Sequence, residues 1–468
     1  MSRILVLGAA PLPFEHRRRQ YASNLRTWHF TQPLLADGHR VRLIAGRLPK
    51  TYDADVEPVL RSRDGELEYL SLEGGRFHDR GYLQELCDEF EPDAVLGVNT
   101  HPSSRAVELE TDVPMWCDLN GWVMAEAQSK CHVYEDDRYL SHFWKMEQAI
   151  LDRADVISTV SRAQAFATLG ELATRGRLGY RNFGYEFVHP IPNAVAEVEY
   201  RHDAHVVRDV LVPADAFVVL WAGGYNTWTD VDFLYDALTA AMEEVGRLHF
   251  VSTGGMIEGH DEITFKRFVE RAGDGPYRDR FHFVGWVPTE HVASYYFESD
   301  LGVNVDSRNY ETVFGARNRL NDMMKTGLAV LTTLGTEISE VIDEHGLGLT
   351  CAIGDSAGFA ERLIWAARHP EELRAMAEGA RDFVCERFSY ARTTAPMRAW
   401  AAAPWRAPDG GVRVEFEDID FFRPPAPEAV AVTPDFERTV QQLEEIEQGY
   451  RQTRLQLDEI HGSKMWKL

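Results

Sequence analysis

From Tyr310 to Asp322 the chain places a carboxylate (Glu311), a Phe314-Gly315 turn, two arginines (Arg317 and Arg319) and a second carboxylate (Asp322) within a single loop-to-helix passage. These residue types suit the binding of a phosphorylated sugar. A glycine turn lets main-chain N–H groups approach an anion, and the helix that follows offers its positive end to phosphate oxygens. Arginines add fork-shaped, charge-assisted hydrogen bonds. Asp322, about one turn into that helix, can accept from ribose hydroxyls. A plainer reading stands beside this one: a surface helix whose arginines pair with Glu311 and Asp322. The apolar run from Gly327 to Thr333 reads as the next buried strand.

The elements that position this passage repeat along the chain. Short apolar runs alternate with helical patterns, which implies βα units and parallel sheets. In the first half the expected strands are Arg3–Gly8, Gly38–Ile44, Ala94–Val98, Val113–Cys117 and Asp155–Val160, and Val188–Val195 closes the series. A fresh start follows at Phe217–Gly224, continuing with Leu248–Gly255, Phe281–Val287 and Leu301–Val305. The fold class is therefore α/β, with two successive parallel-sheet domains. Residues 1–200 form the first domain, 201–390 the second, 391–404 a helical segment, 405–434 a linker or strap rich in proline and acid, and 435–468 a helical tail.

The passage around Glu311 and the order of strands resemble the retaining, GT-B-fold glycosyltransferases of the family-4 type, in the branch with Arg-x-Arg ahead of the second acid. The resemblance covers about residues 1–404 and implies that the two sheets are doubly wound and Rossmann-like, that they face a cleft, and that residues 391–404 are a helix crossing back to the first domain. Three features depart from the pattern: ten residues separate Glu311 from Asp322, more than the usual spacing; the second acid is Asp, not Glu; and Ala329 stands where proline is common. The resemblance implies a nucleotide-diphosphate sugar as co-substrate, transfer with retention to a carbohydrate or lipid-linked acceptor in surface polysaccharide or glycoconjugate assembly, and no metal or other cofactor; a nucleotide-sugar epimerase of the same fold and a catalytically weak subunit of a transferase complex are the alternatives. It assigns donor binding to Gly8, Gly223, Gly224, Trp286, Val287, Phe314, Gly315, Arg317, Arg319 and Asp322. Glu311 and His101, which follows a first-half strand, would contact the reacting sugar, and Asp118 and Asn120 at another strand end would orient the acceptor. The family's Arg and Lys after the glycine turn are missing from Tyr225–Asp230, which leaves Arg317 and Arg319 as the compensating cations.

Several of these positions carry an ordinary alternative. His101 also reads as a structural hydrogen-bonding residue, Asp118 and Asn120 as helix-capping residues, and Trp286 as a core tryptophan. Asp230-Val231-Asp232 matches the metal-binding D-x-D pattern but sits at a helix start, where Asp is a favoured cap. His16, Arg17, Arg18 and Arg19, with Arg26, form the main basic cluster, either a solvated face or the receptor of a phosphorylated acceptor, with Arg17 and Arg18 the candidates.

Composition narrows the class. The 468 residues are 44% hydrophobic, enough for globular cores, and a net charge of −25 disfavours a general nucleic-acid binder. Cys87, Cys117, Cys131, Cys351 and Cys385 lack C-x-x-C spacing, so neither a zinc site nor a disulfide framework is expected. No signal peptide is expected ahead of the first strand, and no run is apolar enough to span a bilayer. The expected setting is the cytoplasm, with peripheral contact at the inner membrane face left open. In the tail, Phe436, Leu443, Tyr450 and Leu457 recur every seven residues, interleaved with Thr439, Ile446, Thr453 and Ile460. This seam suits packing on the chain's own domains, homodimerisation or a partner protein.

Overall fold

A computed structural model describes residues 1–15, 18–53 and 55–414, and separately the helix Pro434–Gly462, with side chains over 438–459. Met1–Val414 is one compact unit. It holds two sheets. The first contains β1 (Arg3–Ala10), β2 (Arg40–Arg47), β3 (Val59–Asp64), β4 (Leu67–Leu72), β5 (Ala94–Gly97), β6 (Met115–Asp118), β7 (Val156–Thr159) and β8 (Val188–Pro190), in the order β3-β4-β2-β1-β5-β6-β7-β8. The second contains β9 (Phe217–Ala222), β10 (Leu248–Thr253), β11 (Phe281–Gly285), β12 (Leu301–Asn304), β13 (Ala329–Thr333) and β14 (Leu349–Cys351), in the order β11-β10-β9-β12-β13-β14. The strand pairs are parallel apart from β3, which lies antiparallel to β4 and has four exposed residues. This exposed edge escapes a reading that looks for buried runs. The architecture is the GT-B fold.

Helices cover both faces of each sheet, so the central strands are buried on both sides and read as unbroken apolar runs. Gly8 shows how closely the layers approach. A Cβ there would lie 2.3 Å from Thr27 Cγ2 on the helix Ala22–Ala36, and that threonine's hydroxyl accepts from the Ala9 N–H at 2.9 Å. Gly8 thus serves helix–strand packing.

The chain crosses between the sheets twice, and the crossings run side by side: the Val195 N–H donates to the Phe388 carbonyl at 2.8 Å. After the second crossing the helix Ala395–Ala402 docks on the first domain. Met397, Trp400 and Ala401 join Ile4, Val6 and Trp116 in one core cluster, and Ser2 Oγ donates to the Ala401 carbonyl at 3.0 Å. The segment 405–414 is a strap: Asp409 pairs with the buried Arg177 at 2.7 Å, and Val414 donates to the Gly176 carbonyl at 2.8 Å. Residues 415–433 of the expected linker lie outside the described residues. Within the helix Pro434–Gly462, Leu443, Ile446, Tyr450 and Leu457 are exposed. No helix of the described residues is long and apolar enough to cross a membrane.

Candidate functional site

In the second sheet β9 connects onward to β10 on one side and β12 to β13 on the other, so the strand order reverses between β9 and β12 and a crevice opens beyond their carboxyl ends. Gly223 and Gly224 form the turn after β9. Gly223 has φ +96°, a conformation open to glycine, and a Cβ on Gly224 would lie 2.5 Å from Ile257. Arg319 enters this turn from the helix Asn318–Lys325. Its Nη2 donates to the Gly224 carbonyl at 2.7 Å and its guanidinium stacks 4.0 Å from the Trp221 ring centroid. Its Nη1 is buried with no hydrogen-bond partner. Burial lowers the Arg319 pKa to about 10, so the side chain is still a cation at neutral pH. The helix that carries Arg319 has no side-chain cap at Arg317, so its first N–H groups lack that partner. A glycine turn, an uncapped helix start and a cation with an unpaired donor are features that suit an anion.

Arg317 takes a different place. Its Nε donates to Asp306 at 2.8 Å, and Nη1 and Nη2 hold Glu311 as a bidentate pair at 3.0 and 2.7 Å, with all three residues buried. The plainer reading, an arginine paired with Glu311, therefore describes Arg317. Its expected role as a diphosphate cation is corrected, since two carboxylates occupy its fork. Burial raises the Glu311 pKa, against the pull of Arg317. The carboxylate can lie against the following turn because Gly315 has no side chain: a Cβ there would be 2.2 Å from Glu311 Oε1.

Further along the helix, Asp322 accepts from the Tyr200 hydroxyl at 3.1 Å, and burial raises its pKa to about 6. Trp286 is half-buried after β11. Its indole N–H donates to the Met256 carbonyl at 3.1 Å, with Arg19 4.8 Å from its ring centroid and Tyr21 at 5.3 Å. Val287 packs on the second-domain core.

The first domain closes over this passage. Trp122 meets Phe314 edge-on at 4.8 Å, Ser161 Oγ donates to the Phe314 carbonyl at 2.7 Å, and Thr289 Oγ1 donates to the Arg18 carbonyl at 2.8 Å. Asn120 is half-buried with φ +57° and starts the loop into the helix Val123–Tyr134. Asp118 is not available to an acceptor: it is wholly buried, Arg26 holds it at 2.7 and 3.1 Å, and Ser158 donates to it at 2.7 Å. This corrects its expected catalytic part and removes Arg26 from the basic surface. His101 lies at the start of the helix Thr100–Ala106, with its Nε2 3.1 Å from His78 Nε2. Arg18 lies over the Tyr52 ring at 3.9 Å, and Arg17 lies outside the described residues. Asp230 caps the helix Val231–Glu244, accepting from the Phe233 N–H at 2.9 Å, while Asp232 pairs with Arg271 at 2.8 Å.

Several residues here escaped the sequence reading. Asp306, two residues past β12, had a signal in its strand-end position. Glu126 sits on the first-domain helix that packs against Tyr310–Phe314. Burial, reinforced by the Glu311 charge, raises its pKa to about 8. Behind it, Glu147 is wholly buried with both oxygens unpaired. Burial, then Glu171 and Glu126, raises its pKa, and burial raises that of Glu171 to about 7. Only tertiary packing brings these three acids together. A cavity of about 230 Å³ lined by Phe217, Arg247, Asp300 and Leu328 lies at the opposite, amino-terminal edge of the second sheet.

Comparison with known proteins agrees with this geometry. Residues 216–369 match the family model of glycosyl transferases group 1. The putative glycosyltransferase EpsD of Bacillus subtilis is 26% identical over 187 residues, which is 39% of this chain and 44% of that protein. The chain thus spans less than half the length of this curated relative. Sucrose-phosphate synthase from Thermosynechococcus elongatus superposes with a TM-score of 0.66 at 16% identity, over 86% of this chain and 100% of that one. Anabaena Alr3699/HepE in complex with UDP-glucose gives 0.59 at 11% identity, again over 86% and 100%. These structural likenesses establish the GT-B fold, and the second domain is similar to the group 1 transferases.

Proposed function

We propose that the chain is a glycosyltransferase that moves a sugar from a nucleotide-diphosphate donor to a hydroxyl acceptor, with retention at the anomeric carbon, without a metal, in the assembly of a surface polysaccharide or glycoconjugate. The observation that carries this reading is the unpaired Nη1 of Arg319, buried against the Gly223-Gly224 turn at the reversal of strand order. In the reaction the bond from the anomeric carbon to the diphosphate oxygen breaks and its electron pair leaves with the nucleoside diphosphate. The acceptor oxygen bonds to that carbon and its proton passes to the departing phosphate. Negative charge grows on the diphosphate, where Arg319 and the helix start act most strongly. Asp322 suits the ribose hydroxyls, and Glu311, fixed by Arg317, suits the sugar hydroxyls. The likeness to a protein solved with UDP-glucose makes UDP-sugars the first donors to test. Donor hydrolysis or transfer in EDTA, with the product anomer read by NMR, tests the proposal. An inverted product, or loss of turnover on chelation that magnesium restores, refutes the retaining, metal-independent reading.

A further inference from the structure

The segment between the two sheets carries His202 and His205, three residues apart and outside any helix or strand. Both rings converge on a single oxygen: His202 Nε2 and His205 Nδ1 each lie 2.9 Å from Glu298 Oε1. Glu298 follows the helix Thr289–Phe297 as its C-cap, so the cluster joins the interdomain segment to the second domain. We infer that His202, His205 and Glu298 form a binding site for a divalent transition-metal ion.

Three features carry the assignment. The donor set, two imidazoles and one carboxylate, is one that zinc, nickel, cobalt and copper favour, whereas magnesium and calcium favour all-oxygen sites. The spacing also fits: one ligand atom from each residue lies within 4.8 Å of the others. Each histidine nitrogen is at hydrogen-bond distance, 2.9 Å, from the carboxylate oxygen; ligands about 2.1 Å from an ion stand about 3.0 Å apart at right angles and about 3.4 Å apart in a tetrahedron, so small side-chain shifts admit one.

The third feature is that the carboxylate is held from behind. Glu298 is buried, and its Oε2 accepts from the backbone N–H groups of Val206, Val207 and Arg208 at 3.0, 2.6 and 3.1 Å, leaving Oε1 aimed at the histidines. Support of this kind around a ligand typically matters by 10- to 100-fold in metal affinity. The side chains of His202 and His205 are 37% and 82% exposed, so an ion can enter and water can complete its shell.

An ion here would pin the segment around 202–208 to the second domain, two residues beyond Tyr200, whose hydroxyl donates to Asp322. The site is separate from the proposed donor crevice, and its test does not depend on transfer activity. Tag-free full-length protein is titrated with Ni²⁺ or Zn²⁺ by calorimetry, and with Co²⁺ by visible absorption. We expect one site with micromolar or tighter affinity, and at least a 30-fold loss in the H202A/H205A double variant, checked for folding by circular dichroism. His249 and His282 also pair, 3.1 Å apart, so H249A serves as the control and should bind like the wild type. The inference is overturned if the double variant, folded, binds as tightly as the wild type, if the wild type binds no tighter than millimolar, or if H249A abolishes binding.

Discussion

Replacing Arg317 and Arg319 separately by alanine should produce opposite phenotypes, although only Asn318 stands between them. Arg317→Ala leaves Asp306 and Glu311, both at most 4% exposed, without their cation. Removing one partner of a buried ion pair costs about 3–5 kcal/mol, so the expected result is a large fall in the urea midpoint. Arg319→Ala removes a charge-assisted bond to the Gly224 carbonyl, worth about 1.5–3 kcal/mol, and the stack on Trp221, worth roughly 1–2 kcal/mol. It also relieves a buried cation of its unpaired Nη1, a gain of about 1–3 kcal/mol. The net loss in stability of the ligand-free protein should be about 2 kcal/mol, smaller than for Arg317→Ala. Affinity should behave differently. One or two charge-assisted contacts to a diphosphate amount to about 2–4 kcal/mol, or roughly 30- to 1000-fold in Kd. Urea unfolding measures the first effect, and calorimetry with UDP and GDP measures the second. The reasoning is refuted if folded Arg319→Ala binds the better of the two within threefold of wild type, or if Arg317→Ala unfolds at the wild-type midpoint.

Three further outcomes are expected. The pKa values of Glu126, Glu147 and Glu171 are raised in the folded state, so the unfolded chain loses these protons first as pH rises above about 4.3. Stability should then fall with rising pH, by up to about 1.4 kcal/mol per pH unit per group, and level off above about 7 for Glu171 and about 8 for Glu126. Glu147→Gln should flatten that slope in urea melts run from pH 5 to 8; an unchanged slope would assign it to other groups. Glu126→Gln should remove a transition near pH 8 from the pH–rate profile while leaving UDP affinity within a few-fold, and a profile identical to wild type would exclude Glu126 from the reaction. A chain ending at Val414 should fold and keep diphosphate binding, whereas one ending at Pro408 should be less stable because it loses the Asp409–Arg177 pair; circular dichroism melts of the two compare them directly.

Much of the fold was legible because parallel strands buried on both faces are unbroken apolar runs. Arg3–Ala10 and Phe217–Ala222 show this plainly, and the glycine turn after the latter marks the crevice by type alone. The antiparallel β3 was not legible, because an exposed edge strand carries polar residues and lacks that signature. Within the site, the passage 311–322 was found by spacing, but spacing could not divide the work between its two arginines. That division depends on Asp306, which β12 delivers from outside the passage. Asp118 lies at a strand end as expected, yet its partner Arg26 lies on the distant helix Ala22–Ala36, and a pairing of this kind leaves no local trace. The acids Glu126, Glu147 and Glu171 come from three helices and share no motif.

The side-by-side crossings have a mechanical consequence. Two adjacent tethers, joined at Val195 and Phe388, resist twisting of one domain against the other far more than they resist bending about their common line. The helix Asn318–Lys325 grips one tether along its length: Asn321 donates to the Asn193 carbonyl at 2.9 Å, Asp322 accepts from Tyr200, and Lys325 donates to the carbonyls of Ala196 and Val198. The same helix carries Arg319 to the glycine turn. It therefore links the glycine turn to the tethers, so a force on Arg319 is delivered to the line along which the two crossings are joined.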